Sequence, residues 1–156
     1  MSAVERAQLV ERYSKGLAAV KEALEGITEA ELDARPAPDE WSAREIVHHL
    51  VDGEIRSAGR LRQLIAEDAP VIQGYDQDVY ARTLHYDRPI DGAIDMIAAA
   101  RNSSASLLTT LTDADWSRSG THTESGTYTV DDWLTIYTAH PFDHAEQIRR
   151  ARASAG

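Results

Sequence analysis

The chain of 156 residues is about one domain long and has no cysteine, so disulfides, thiolate metal sites and cysteine nucleophiles are excluded, and any metal must be held by nitrogen and oxygen. Its 26 acidic against 16 basic side chains give a formal charge of -10, which disfavours the basic surface that nucleic-acid binding needs. The opening "MSAVERAQLV" is charged and no long apolar run follows, so neither a signal peptide nor a membrane span is expected and a cytoplasmic location is the default.

Residues 3 to 27 carry Val10, Tyr13, Leu17, Val20, Leu24 and Ile27 at alternating spacings of three and four, the seam of a first bundle helix. "TEAELDARPAPDE" reads as a short helical turn and then a connector, because two prolines stop a helix. Ser42 and Glu45 have the spacing of a capping box, so a long second helix is expected from Ser42 to about Asp68. After Pro70, Val79, Tyr80 and Leu84 suggest a short helix that depends on tertiary support. Pro89 suits the first turn of a further helix whose seam, Ile90, Ile94, Ile97, Leu108 and Leu111, runs to about residue 111. Residues 112 to 128, rich in Ser, Thr, Gly and Asp, read as a structured loop. Thr129 and Asp132 then supply the N-cap and an acidic third position of a last helix ending near Arg152. The expected fold is all-α, a single domain over residues 1–156 with four principal helices, long connecting loops and no alternating β pattern.

The last helix sets His140 and His144 four apart. Its inward face, read from Trp133, Ile136, Tyr137 and Ile148, includes both imidazoles at about 100° per residue. Buried imidazoles have two ring nitrogens to satisfy. Two core histidines bonded to carbonyls or hydroxyls would meet that need, and so would metal ligation with a second acceptor on the other ring nitrogen. The second helix offers His48 or His49 as a third ligand, but both flank its apolar arc and periodicity leaves the choice open. Pro141, between the two histidines of the last helix, threatens a kink that would turn them apart.

Two stretches resemble the DinB-like superfamily of bacterial metalloproteins, also called YfiT-like metal-dependent hydrolases. "WSAREIVHHLVDGE" is similar to that family's Trp-Ser opening with a histidine eight residues after the tryptophan, and by this register the ligand is His49. "GTYTVDDWLTIYTAHPFDHAEQI" resembles its last helix, with two histidines four apart followed by Gln-Ile, here His140 and His144. The departures are Pro141 and Asp143, the latter standing where family members often carry another histidine. The resemblance covers residues 1 to about 152 and implies a four-helix bundle of the DinB/YfiT-like type with a three-histidine site for a divalent transition metal, zinc or nickel. It also implies pairing as a homodimer and a small-molecule substrate. Family members include thiol-dependent S-transferases and a mycothiol-dependent isomerase, so a low-molecular-weight thiol such as mycothiol or bacillithiol is an implied co-substrate.

Two classes of function follow: a metal-dependent enzyme, either a thiol S-transferase or a hydrolase, and a non-enzymatic metal- or ligand-binding module on the same bundle. No further catalytic residue is assigned. Asp52, three residues after His49, reads either as a group that accepts a ring N–H or shuttles a proton, or as an exposed helix acid. Glu54 and Arg101 fall in apolar seams, where burial of either alone is costly, and are expected to pair between helices. His85 and His122 read as surface histidines, and the terminal "RRARA" as a solvated helix end.

Overall fold

Most helix starts in this chain are fixed by local hydrogen bonds. In the computed structural model, which describes residues 1–156, five capping boxes open helices, at Ser2/Glu5, Thr28/Glu31, Ser42/Glu45, Thr112/Asp115 and Thr129/Asp132. In each, the hydroxyl accepts the third backbone N–H and the acid accepts the N–H of the cap, so two otherwise unpaired donors are satisfied. The principal helices are α1 (Ala3–Leu24), α3 (Ala43–Ala66), α5 (Ala93–Leu108) and α7 (Val130–Ala153). Between them lie the short α2 (Glu29–Asp33), α4 (Gln77–Thr83) and α6 (Asp113–Trp116) and three strands, β1 (Val71–Ile72), β2 (Ser119–His122) and β3 (Gly126–Thr129).

Three expectations are corrected. The first helix stops at Leu24, because Gly26 takes a left-handed φ of 65° and turns the chain, although Ile27 still packs on the core. Pro89 does not open α5; left-handed Gly92 does, and Ile90 contributes from the preceding turn. Residues 112 to 128 are more than a loop: α6 is followed by a β2–β3 hairpin, which β1 joins in parallel through Val71 and Ile72.

Each principal helix packs on two others: α1 against α5 and α7, and α3 against α5 and α7. Helices α1 and α3 are therefore diagonal, as are α5 and α7. Arg6 pairs with Asp131 where α1 and α7 begin, and Arg152 donates to the Ala23 and Glu25 carbonyls where they end, so these neighbours are parallel. The same contacts place Arg152 of the terminal basic run on the free carbonyls of another helix, a cation at the negative end of its dipole. Apolar clusters occupy both ends of the bundle, one containing Val20, Ile46, Leu50, Ile97 and Ile148 and the other Tyr13, Leu61, Leu108, Trp133 and Leu134. Ala93 lies in the first with the N-terminal half of α3, and Leu108 in the second with its C-terminal half, so α3 and α5 are also parallel. Because α3 and α5 are consecutive principal helices, a long crossover between them is obligatory, and β1 and α4 sit in it. No helix is long and apolar enough to cross a membrane.

Between the two clusters Glu54 and Arg101 form the expected pair, 1% and 3% exposed. Arg101 also donates to the Tyr13 carbonyl at 2.6 Å and to the Tyr137 carbonyl at 3.3 Å. Tyr137 precedes Pro141 by four residues, so its carbonyl has no helical N–H to accept. Arg101 takes the place of that missing donor, and α7 continues unbroken through Pro141. Gly16 makes the close approach possible, since a Cβ there would lie 2.4 Å from Pro141 Cγ. Replacing Arg101 with Met should cost about 3–5 kcal/mol in denaturant unfolding by stranding a buried carboxylate, and adding Glu54→Leu should recover more than half of that loss.

Candidate metal centre

The site begins with two helix positions that the capping boxes fix in register. From Ser42, α3 carries His48 and His49 into the interior, 3% and 2% exposed. From Thr129, α7 carries His140 and His144 to one side, both half-buried. Pro141 does not separate them. Since α3 and α7 are neighbours, His49 meets the other two: Nε2 of His140 lies 3.2 Å from Nε2 of His49 and 3.1 Å from Nε2 of His144. Ile136, expected on the inward face of α7, is 49% exposed, because that face rotates toward Tyr137 and His140.

The structure separates the adjacent pair on α3. His48 turns to the other side of the helix, where Nε2 lies 3.0 Å from the Arg88 carbonyl and Nδ1 has no protein partner. His49 stacks 4.9 Å from the Trp41 ring and points at α7. Gly53, one turn later, was not singled out from the sequence. A Cβ there would stand 2.9 Å from Cε1 of His140, so the glycine leaves room for that imidazole. Its position, one turn from His49 on the same face, was the only available signal.

Proton bookkeeping shows what the three rings lack. His144 Nδ1–H donates to Gln147 Oε1 at 2.7 Å, so in the neutral ring its Nε2 carries a lone pair. At most one of the facing nitrogens can then be satisfied by an N–H from another, and at least one is left facing the cluster without a partner. Burial pushes the basicity of the rings down, His49 to about 3 and His140 to about 2, with His144 lowered in the same direction. Desolvation is the main cause in each, and mutual repulsion adds to it for His49 and His140. Protonation is therefore a poor remedy, whereas a cation bound to all three nitrogens is a good one. A tetrahedral ion with bonds of about 2.0–2.1 Å sets its ligands about 3.3 Å apart; the two separations from His140 are close to that, and all three ligand atoms lie within 4.8 Å of one another. The residues fit a metal. Nδ1 of His49 and of His140 has no protein partner, so of the three rings only His144 has the acceptor expected on its second nitrogen.

Asp52 does not bond a ring nitrogen. It accepts the Tyr86 hydroxyl at 2.6 Å, and Tyr86 in turn packs against Trp41 and His48. His85 and His122 lie elsewhere, the first exposed at a left-handed φ of 52°, the second at the end of β2 with Nδ1 accepting the Glu124 N–H.

The lowered basicity has a consequence for metal-free protein. Each ring stays neutral in the fold but takes up a proton in the unfolded chain below its ordinary value of 6.5. Stability is thus full above about pH 6.5 and falls as pH drops toward the folded-state values. Thermal melts between about pH 7 and 5, above the range where most carboxylates titrate, should show this fall, and His140→Phe should flatten it.

A family model described as the DinB superfamily matches residues 12–148. A protein of Oceanobacillus iheyensis is 32% identical over 118 residues, which is 76% of this chain and 69% of that protein. YfiT of Bacillus subtilis is 28% identical over 134 residues, 84% of this chain and 75% of its own. Both are named as putative metal-dependent hydrolases. A solved structure of YfiT, described as a probable metal-dependent hydrolase with an unusual four-helix bundle topology, superimposes with a TM-score of 0.86 over 96% of this chain and 89% of that one, at 24% identity. With the matched segment running from α1 to beyond His144, the chain belongs to the DinB superfamily.

Proposed function

We propose that this protein is a metal-dependent enzyme acting on small molecules, with His49, His140 and His144 as the protein ligands of one divalent transition-metal ion. The convergence of three neutral Nε2 atoms carries this reading. Zinc and nickel are the candidates that imidazole suits. Because no carboxylate belongs to the set, a bound divalent ion keeps its positive charge and open positions, and so acidifies water or a thiol and polarises a carbonyl. Gln147 fixes the tautomer of His144, Gly53 seats His140, and Trp41 packs against His49. Asp52, one turn from His49 and hydrogen-bonded by the Tyr86 hydroxyl, would be the carboxylate that shuttles a proton.

Two reactions suit this arrangement: hydrolysis, the activity in the relatives' names, and transfer of a low-molecular-weight thiol to an electrophile. The chain has no cysteine, so the sulfur of a transferase would come from the co-substrate. A non-catalytic metal-binding module remains the contrasting reading.

Elemental analysis of untagged, chelator-free protein should find about one ion per chain after reconstitution. His49→Ala should lose it and His48→Ala should keep it; occupancy near zero in the wild type would refute the centre. Metal-restored consumption of electrophiles with a thiol panel would identify a transferase, and cleavage of esters or amides without thiol a hydrolase. Full metal occupancy with neither activity would favour the binding module.

A further inference from the structure

We propose that Arg56 and Arg60 form an anion-binding site that holds a carboxylate or phosphate group of the small molecule acted on at the histidine centre; this rests on the metal-dependent reading above. In a chain of formal charge -10, most arginines have an acid to pair with. Six other arginines are buried or half-buried, Arg6, Arg44, Arg101, Arg118, Arg149 and Arg152, and each makes an ion pair. Arg56 and Arg60 are half-buried too, and neither has a carboxylate partner. Their acceptors are neutral. Arg56 donates to the Tyr80 hydroxyl, and Arg60 to the Tyr137 hydroxyl at 2.9 Å and the Gln73 carbonyl at 2.5 Å.

Two like charges four apart on a helix repel, and half-burial makes the repulsion worse. Asp52, one turn before Arg56, would be the natural neutralising partner on α3, but its carboxylate accepts from Tyr86 instead. Other contacts hold the arginines in place. The Arg56 guanidinium lies 4.2 Å from the Tyr75 ring centre and 4.8 Å from that of Tyr80. Beside them a cleft of about 350 Å³ runs between α3 and β1, lined by Arg56, Gly59, Arg60, Gln63, Val71 and Gln73. A guanidinium has five N–H donors in a planar fork that suits carboxylate or phosphate.

The helix geometry joins this pair to the histidines. At about 100° per residue, His49, Gly53, Arg56 and Arg60 fall within an arc of about 60° on α3. At about 1.5 Å per residue, Arg56 is about 10 Å along the axis from His49. Arg60 meets Tyr137, whose ring is 6.0 Å from that of His140. One face of α3 thus carries a metal ligand at one end and two unneutralised cations further along, which suits a substrate or thiol with an anionic group distant from its reacting atom.

The test uses inorganic phosphate and acetate as separate probes of the metal-free full chain, followed by the side-chain Nε–Hε NMR signals of arginine. Saturable shifts at Arg56 and Arg60 are expected with at least one anion. Arg56→Gln with Arg60→Gln should weaken that binding at least about tenfold, while exposed Arg62→Gln leaves it unchanged. Saturation by phosphate alone or acetate alone supports the site and names the group. No saturable shift, or the same shift at Arg62, overturns it. His140→Ala should retain anion binding, so failure of the metal reading is seen separately. In cobalt-loaded protein, where thiolate ligation is read by absorption, an ω-mercaptocarboxylate spanning about 10 Å should bind about tenfold more tightly than the ω-mercaptoalcohol of equal length. That preference should vanish in the double variant, and equal affinities in the wild type would overturn the link to the centre.

Discussion

Arg101 touches every principal helix of the bundle: rooted in α5, it pairs with Glu54 of α3 and donates to a carbonyl of α1 and another of α7. Burying that charge is tolerable only because its partners are charged or strongly polar and in place. The arrangement also resolves the irregularity at Pro141, whose missing N–H leaves the Tyr137 carbonyl free for the guanidinium. Gly16, Pro141 and Arg101 then occupy one crowded point, and the axial position of α7 follows from how closely they approach. His140 is adjacent to that point in sequence, so the network that closes the core also sets where its imidazole leaves the helix.

The histidine centre lies away from the apolar axis, on the flank where α3 and α7 meet. That position explains its electrostatics. Enough water is excluded to keep the imidazoles neutral at ordinary pH, the state in which nitrogen can bind a metal, yet His140 and His144 are not sealed from solvent. Metal-free protein bears the cost of facing lone pairs, and an ion that binds only the folded chain converts that cost into stability. Helix parallelism has a further consequence. Because α3 and α5 run the same way, the chain must return across the bundle between them, and this crossover brings Tyr75 and Tyr80 onto Arg56 and Tyr86 onto Asp52 and His48.

Much of this was legible in the sequence, because it depends on interactions within a few residues. Capping pairs three apart marked the starts of α3 and α7, and the three-four spacing of apolar side chains marked the bundle helices. The burial of Glu54 and Arg101 could be inferred from their places in apolar seams, and with it their pairing. The histidine spacing raised the metal centre as a question, and family resemblance, not periodicity, chose His49 over His48.

Tertiary structure decided what depends on distant partners. β1 is only Val71–Ile72, and β2 and β3 are four residues each, mostly Ser, Gly and Thr; none has a strand pattern of its own, and they exist because β1 and β3 lend β2 their hydrogen bonds. Pro141 looked like a helix breaker because the donor that replaces its N–H comes from a residue 36 positions away from Tyr137. Gly53 matters through the ring it faces on another helix, and Asp52 through a tyrosine on a crossover. In each case the local sequence states what a residue can donate, accept or accommodate. Which group it meets is set by how the helices pack, and that information is spread over the whole chain.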